Sequence, residues 1–305
     1  MPNPSHRARR LGRAALVLTA GAAAALAGTG LMAKTFGEWS TPVSAEQGSD
    51  PSLNTASNDG CPILSPDGLS LYMATNRPGG YGGQDIWVAH RDSVTSGWGA
   101  PENLGPPVNT ADNEFCPDPT RGKRLFFVRA PAPGLIGDIY ETRLDNDGWR
   151  EPVRLPDTVN SAAQEWSPSY FEDDAGNAVL YFSSTRAGTQ DIYQSVNFGP
   201  AQPVAELNTA FDDARPNVSR TGREIVFDST RPGTLGGPDI WSATRDSNTG
   251  AWSAPEHRAE LSSDTPDTRA SLSWDGTFIL FGSARTGGEG MADIYVATRP
   301  RVTGQ

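Results

Sequence analysis

From residue 36 onward the hydrophobic residues come in short runs set among Gly, Pro, Asp and Ser. No stretch keeps a 3.6-residue apolar period long enough to predict a helical repeat, so the pattern reads as strands and tight turns. One run returns throughout: Gln84-Asp85-Ile86-Trp87, Gly137-Asp138-Ile139-Tyr140, Gln190-Asp191-Ile192-Tyr193, Pro238-Asp239-Ile240-Trp241 and Ala292-Asp293-Ile294-Tyr295. Its five copies are separated by 53, 53, 48 and 54 residues. A period near fifty built from short strands predicts an all-β fold, a five-bladed β-propeller of four-stranded antiparallel blades.

Within the first repeat, Cys61-Pro62-Ile63-Leu64 reads as strand A and residues 69–75 as strand B. Ser65-Pro66-Asp67-Gly68 is the turn between them, since Pro pre-sets φ and Gly supplies a positive one. Strand C spans residues 85–90, and Trp98-Gly99-Ala100-Pro101 marks strand D. Trp149-Arg150-Glu151-Pro152 and Trp252-Ser253-Ala254-Pro255 are its relatives, and Pro200-Ala201-Gln202-Pro203 is a copy without the Trp. A further copy, Trp39-Ser40-Thr41-Pro42, follows no Asp-Ile-aromatic strand, whereas the last such strand has no Trp-x-x-Pro after it. Residues 36–43 are therefore expected to complete the fifth blade and close the ring, leaving no open sheet edge. The expected blades are about 54–104, 109–155, 160–206, 208–258 and 262–299 plus 36–43, together a propeller over 36–300 with a tail at 301–305.

Ahead of this domain, Arg7, Arg9, Arg10 and Arg13 precede an almost wholly apolar stretch over residues 14–27 that ends Ala25-Leu26-Ala27. This pattern predicts a signal peptide over 1–27 and a linker over 28–35, hence export to the periplasm, cell envelope or exterior. The alternative is an uncleaved anchor, although Gly21, Gly28 and Gly30 interrupt the run. Without residues 1–27 the chain carries 21 basic and 36 acidic residues, a net charge of −15 that disfavours nucleic acid as a partner. No transmembrane domain is expected after cleavage, and a monomer is.

Ser-Pro-Asp-Gly, then Leu71-Tyr72-Met73-Ala74-Thr75-Asn76-Arg77, then Asp-Ile-Trp resembles the WD40-like β-propeller repeat family of the TolB type, over about residues 36–299. The resemblance implies a binding or scaffold module with an unknown protein or a small anionic or glycan ligand as partner. A secreted propeller hydrolase acting on carbohydrate is the alternative.

Each repeat places an acid before strand A: Asp59, Glu114, Glu165, Asp213 and Asp267. An arginine after strand B recurs as Arg77, Arg186, Arg231 and Arg285, with Pro131 in its place in the second repeat. Fivefold recurrence argues for structural ion pairs, since catalytic residues break internal symmetry, and leaves the second repeat as an expected weak point. The hydrolase reading would need two of Glu114, Glu165, Asp213 and Asp267 in unlike environments. Two residues beyond the acids stand Cys61, Cys116, Ser167, Arg215 and Arg269, expected beside the central channel. There Arg215 and Arg269 would make an anion site, and Cys61 and Cys116 are candidates for an inter-blade disulfide. The expected working face carries the D-to-A and B-to-C loops, where Tyr81, Phe115, Trp166 and Met291 are candidate contact residues. The Gly-rich B-to-C loops open no helix and lack a lysine, so they read as turns. Asp145-Asn146-Asp147-Gly148 and Asp173-Asp174-Ala175-Gly176-Asn177 lack the ligating Glu of a calcium loop. No cofactor or metal is called for.

Overall fold

The computed structural model describes Met1 and residues 36–302, so the expected leader over 1–27 and linker over 28–35 lie outside the described residues. Among those residues there are 21 strands and no helix, and no helix long and apolar enough to cross a membrane. The strands form five antiparallel sheets arranged as a five-bladed β-propeller.

Blade 1 is β2 (Asp59–Leu64), β3 (Ser70–Thr75), β4 (Asp85–His90) and β5 (Glu102–Asn103). Blade 2 is β6 (Asn113–Pro119), β7 (Arg124–Ala130), β8 (Asp138–Asp145) and β10 (Val153–Arg154), with β9 (Gly148–Trp149) folded back on β8. Blade 3 is β11 (Glu165–Glu172), β12 (Ala178–Ser184), β13 (Asp191–Val196) and β14 (Gln202–Pro203). Blade 4 is β15 (Asp213–Val218), β16 (Glu224–Ser229), β17 (Asp239–Thr244) and β18 (Glu256–His257). Blade 5 is β19 (Asp267–Leu272), β20 (Phe278–Ser283), β21 (Asp293–Thr298) and, from the other end of the domain, β1 (Val43–Ser44).

The ring closes through β1, with Val43 opposite Val296 and Ser44 opposite Tyr295. Gly37, Ser40 and Ala45 donate further backbone bonds to Pro300, Thr298 and Ile294. The innermost strands β2, β6, β11, β15 and β19 each touch the next, and β19 touches β2.

The Trp-x-x-Pro segments are not the outer strands themselves. Trp98 and Trp252 lie four residues before β5 and β18, in the connection, where their rings pack inward. Arg91, Arg245 and Arg299 lie over Trp98, Trp252 and Trp39 at 4.1, 4.1 and 4.2 Å. Each of these arginines also donates Nε to the glycine carbonyl of its A-to-B turn, Gly68, Gly222 or Gly276. In blades 1, 4 and 5 a tryptophan clamped by arginine thus backs an outer strand of only two residues.

The core lies between neighbouring blades. Tyr181 and Ile192 of blade 3 pack with Phe227 and Trp241 of blade 4, and Leu71 and Met73 of blade 1 with Leu280 and Ile294 of blade 5. Each such side chain contributes roughly 1.5–3 kcal/mol through burial, so the blades stabilise one another.

Candidate functional site at the channel

Along each innermost strand three side chains, two residues apart, mark three levels of the central channel. The first level is the acid. Asp59, Glu114, Glu165, Asp213 and Asp267 are all fully buried. Arg77, Arg186 and Arg285 pair with Asp59, Glu165 and Asp267 at 2.7, 2.9 and 2.7 Å, and Arg231 pairs with Asp213. The same carboxylates accept the backbone N–H and hydroxyl of a Ser or Thr four residues earlier: Thr55, Thr110, Ser161, Thr209 and Ser263.

The second repeat is not the expected weak point. Arg129 on β7 supplies the missing guanidinium, 2.9 Å from Glu114. Arg129 stands opposite Glu114 in the ladder, where the other blades have Thr75, Ser184, Ser229 and Ser283. It reaches the acid because residues 129 and 131 share one face of an extended chain. In all five blades this arginine also bonds a carbonyl of the preceding loop, Leu53, Val108, Val159, Leu207 or Leu261. It lies over the aromatic ring of Asp-Ile-aromatic at 4.7 to 5.4 Å. The repeated aromatic is thus the platform for the repeated arginine.

The repeated aspartates serve elsewhere. Asp85, Asp239 and Asp293 accept N–H bonds from Tyr81, Leu235 and Glu289 and so hold the B-to-C loops. Another recurring feature escaped the sequence reading: Asn54, Asn109, Asn160 and Asn208 bond both the N–H and the C=O of the Asp-Ile-aromatic isoleucine in the preceding blade. The signal was present as Asn-Thr or Asn-Ser five residues before four of the acids.

The second level is a set of β-bulges. Cys61, Cys116, Ser167, Arg215 and Arg269 all have positive φ, between 48 and 57°. The ladder register shifts at each of them. A left-handed non-glycine residue costs about 1–2 kcal/mol, and here the bulge turns five side chains onto one small cavity of about 30 Å³. Arg215 pairs with buried Asp228 through Nη1, and Asp228 also accepts the Arg269 N–H at 3.0 Å. Cys61 and Cys116 are free thiols in contact with each other, with no disulfide between them. Ser167 donates to Cys116 Sγ at 3.2 Å. Burial pushes both thiols up; at Cys116 the bond from Cys61, the Arg269 charge, the Ser167 hydroxyl and Arg215 outweigh it and hold that thiol below its ordinary range.

Phe115 and Trp166, expected on exposed loops, lie instead on β6 and β11, buried and packed edge to face at 5.4 Å. Tyr81 and Met291 are exposed.

The third level is Ile63, Asp118, Ser169, Asn217 and Ser271. Asp118 accepts the Tyr170 N–H of the next blade at 2.7 Å, Ser169 the Val218 N–H at 2.9 Å, and Asn217 the Leu272 N–H at 2.9 Å. Three different acceptors thus do one structural task. Only Asp118 brings an ionisable group, and burial pushes its carboxyl up to about 8 against the opposing Tyr170 bond.

Beyond this level the channel opens at the A-to-B turns into a funnel of about 270 Å³ that all five blades line. Asp118 lines its wall together with Tyr170, Glu172 and Trp274. Arg121 and Arg220 lie over the Trp274 ring at 4.7 and 5.2 Å. Asp173, also at the funnel, is spent on its hairpin, accepting from Ala175 and Asn177. Asp145 is held likewise, by the Asp147 N–H and Arg150. The funnel lies at the opposite end of the channel from the D-to-A and B-to-C loops that the sequence favoured.

No family model matches the sequence, and no curated protein does. Among solved structures the fold is similar to an α-L-arabinofuranosidase from Lactobacillus brevis, at 13% identity and a TM-score of 0.56, over 84% of this chain and 94% of that one. It is similar also to an endo-arabinase from Bacteroides thetaiotaomicron, at 15% identity and a TM-score of 0.51, over 88% and 99%. A TolB-described structure from Agrobacterium tumefaciens aligns at 17% identity and a TM-score of 0.49, over 83% and 78%. The likeness is one of fold.

Proposed function

We propose that this chain is an exported β-propeller binding module that takes a small polyhydroxylated ligand, a glycan fragment, in the funnel at the A-to-B turns. The observation that carries the reading is the contrast between the two ends of the channel. At the D-to-A end all five acids are buried and arginine-paired, so none is free to meet a ligand, although burial pushes the Glu114 carboxyl up against Thr110 and Arg129. At the other end the blades differ: Tyr170 and Trp274 bring aromatic rings, and Arg121, Arg220, Glu172 and Asn217 bring donors and acceptors around a ligand-sized hollow. Sugar rings suit such a lining, with C–H faces against aromatic rings and hydroxyls against planar polar groups.

Calorimetric titration of the purified protein with neutral and acidic oligosaccharides tests this. Saturable binding weakened at least about tenfold, or ~1.4 kcal/mol, by Trp274→Ala, and untouched by Tyr81→Ala, is expected. Binding indifferent to Trp274, or absent for every glycan, removes the reading.

One observation favours a carbohydrate hydrolase as a second reading: Asp118, holding its proton to about 8, shares the funnel with Glu172, an exposed carboxylate. A carboxyl that holds its proton, sharing one hollow with a second and exposed carboxylate, supplies the ingredients of acid–base cleavage. Release of reducing ends, abolished in Asp118→Asn while binding persists, would establish it. Binding without any release would leave the module reading.

A further inference from the structure

The channel waist carries chemistry that ligand binding in the funnel does not use. Two bulges in adjacent blades turn Cys61 and Cys116 toward each other from equivalent positions, although 55 residues of chain separate them. Around them the charges do not balance. Arg215 and Arg269 bring two guanidiniums to the waist and Asp228 one carboxylate, bound by the Arg215 side chain and the Arg269 N–H. The Nε atoms of both arginines are buried without a hydrogen-bond partner. The Arg269 charge acts on both sulfurs, and Ser167 donates its hydroxyl to Cys116 alone. A surplus cation beside two touching thiols favours one thiolate, and the Ser167 hydroxyl directs it to Cys116. The same surplus opposes a metal cation, which separates this arrangement from a thiolate metal site.

We propose that Cys61 and Cys116 form a hydroperoxide-reactive dithiol, Cys116 attacking and Cys61 resolving, whose oxidation links blades 1 and 2. The Cys116 thiolate attacks the distal oxygen of the hydroperoxide. An S–O bond forms, the O–O bond breaks, and the alkoxide or hydroxide released takes a proton from water. The sulfur of Cys61 then attacks the sulfenic acid. An S–S bond forms, the S–O bond breaks, and the departing hydroxide leaves as water with the Cys61 proton. Two electrons pass from the dithiol to the peroxide, and the products are one disulfide, one alcohol or water from the hydroperoxide, and one water.

The geometry supports each stage. Ser167 holds the attacking sulfur and Arg269 supplies the charge beside it, while Cys61, driven up by burial, keeps its proton until the second step. The cavity beside the sulfurs, about 30 Å³, has room for a molecule the size of water or hydrogen peroxide. It shares Ile63 and Asn217 with the funnel, so the two hollows adjoin along the channel. The pair is independent of what the funnel binds.

The test treats the full-length, fully reduced protein with hydrogen peroxide and follows it by intact mass and by thiol titration after denaturation. About one equivalent of peroxide is expected to remove both thiols and lower the mass by about 2 Da. Cys61→Ser should stop at the sulfenic acid, a gain of about 16 Da that dimedone captures. Cys116→Ser should lose its remaining thiol at least about tenfold more slowly than the parent protein. Survival of both thiols while added glutathione is consumed would overturn the proposal, and so would a Cys116→Ser protein that oxidises as fast as the parent. The first of these results needs no variant, so a substitution that fails to fold does not rescue the idea.

Discussion

Asp118 shows how one side chain can serve the fold and burden it. Its place in the channel asks only for an acceptor toward the next blade's N–H, and blade 4 fills the equivalent place with Asn217. As a carboxyl it holds its proton to about 8 in the folded protein, against about 3.9 in an unfolded chain. Between those values the folded state binds the extra proton, so stability falls as pH rises from about 4 to about 8 and stays reduced above that. Asp118→Asn keeps the bond and removes the titration. The variant should match the parent near pH 4 and exceed it by a few kcal/mol at pH 8, at about 1.4 kcal/mol per pK unit. Urea unfolding across that range checks this, and two parallel stability curves would refute it. Residue-scale roles of this kind were partly legible. The acids and their arginines stood out by repetition, but Arg129 did not, because its pairing is visible only once β6 and β7 are laid side by side.

At the scale of elements, the Gly-rich B-to-C loops gain a definite reason. A Cβ on Gly82 would stand 2.0 Å from the Asp112 carbonyl oxygen and 2.6 Å from that of Thr110, both in the loop entering blade 2. Gly236 meets Asp264 at 2.0 Å and Gly290 meets Ser57 at 2.1 Å in the same way, one blade against the next. These glycines let two backbones touch, and phosphate binding has no part in it. Gly82→Ala must push two loops apart and should destabilise the protein by about 1–3 kcal/mol. A lowered denaturant midpoint at unchanged m-value is the expected result, and an unchanged midpoint would show that the loops yield freely. The turns themselves were readable from Pro, Asp and Gly, whereas the contact between loops is a property of neighbouring blades.

For the molecule as a whole, ring closure is the feature on which the rest depends. Removing residues 1–45 would take away β1, bare the edge of β21, and withdraw Trp39 from its place against Ala270, Leu272 and Ile279. Loss of a buried tryptophan alone costs about 3–5 kcal/mol, and an open strand edge invites pairing between copies. The truncated protein should melt well below the parent and elute as dimers or larger species on size exclusion. A monomer with the parent's melting temperature would contradict the role given to β1.

By itself the sequence determined the number of blades, the turns and the strand that closes the ring, because these rest on local chemistry repeated about every fifty residues. Repetition also exposed the acid of each blade, since a side chain needed for blade geometry recurs with it. Only the tertiary structure decided that the bulges turn Cys61, Cys116, Ser167, Arg215 and Arg269 onto one cavity, that Phe115 and Trp166 are buried, and that the hollow lies at the A-to-B turns. Each of these follows from how one blade meets the next. Those contacts join residues some fifty positions apart or more, which no local pattern of apolar and polar residues records.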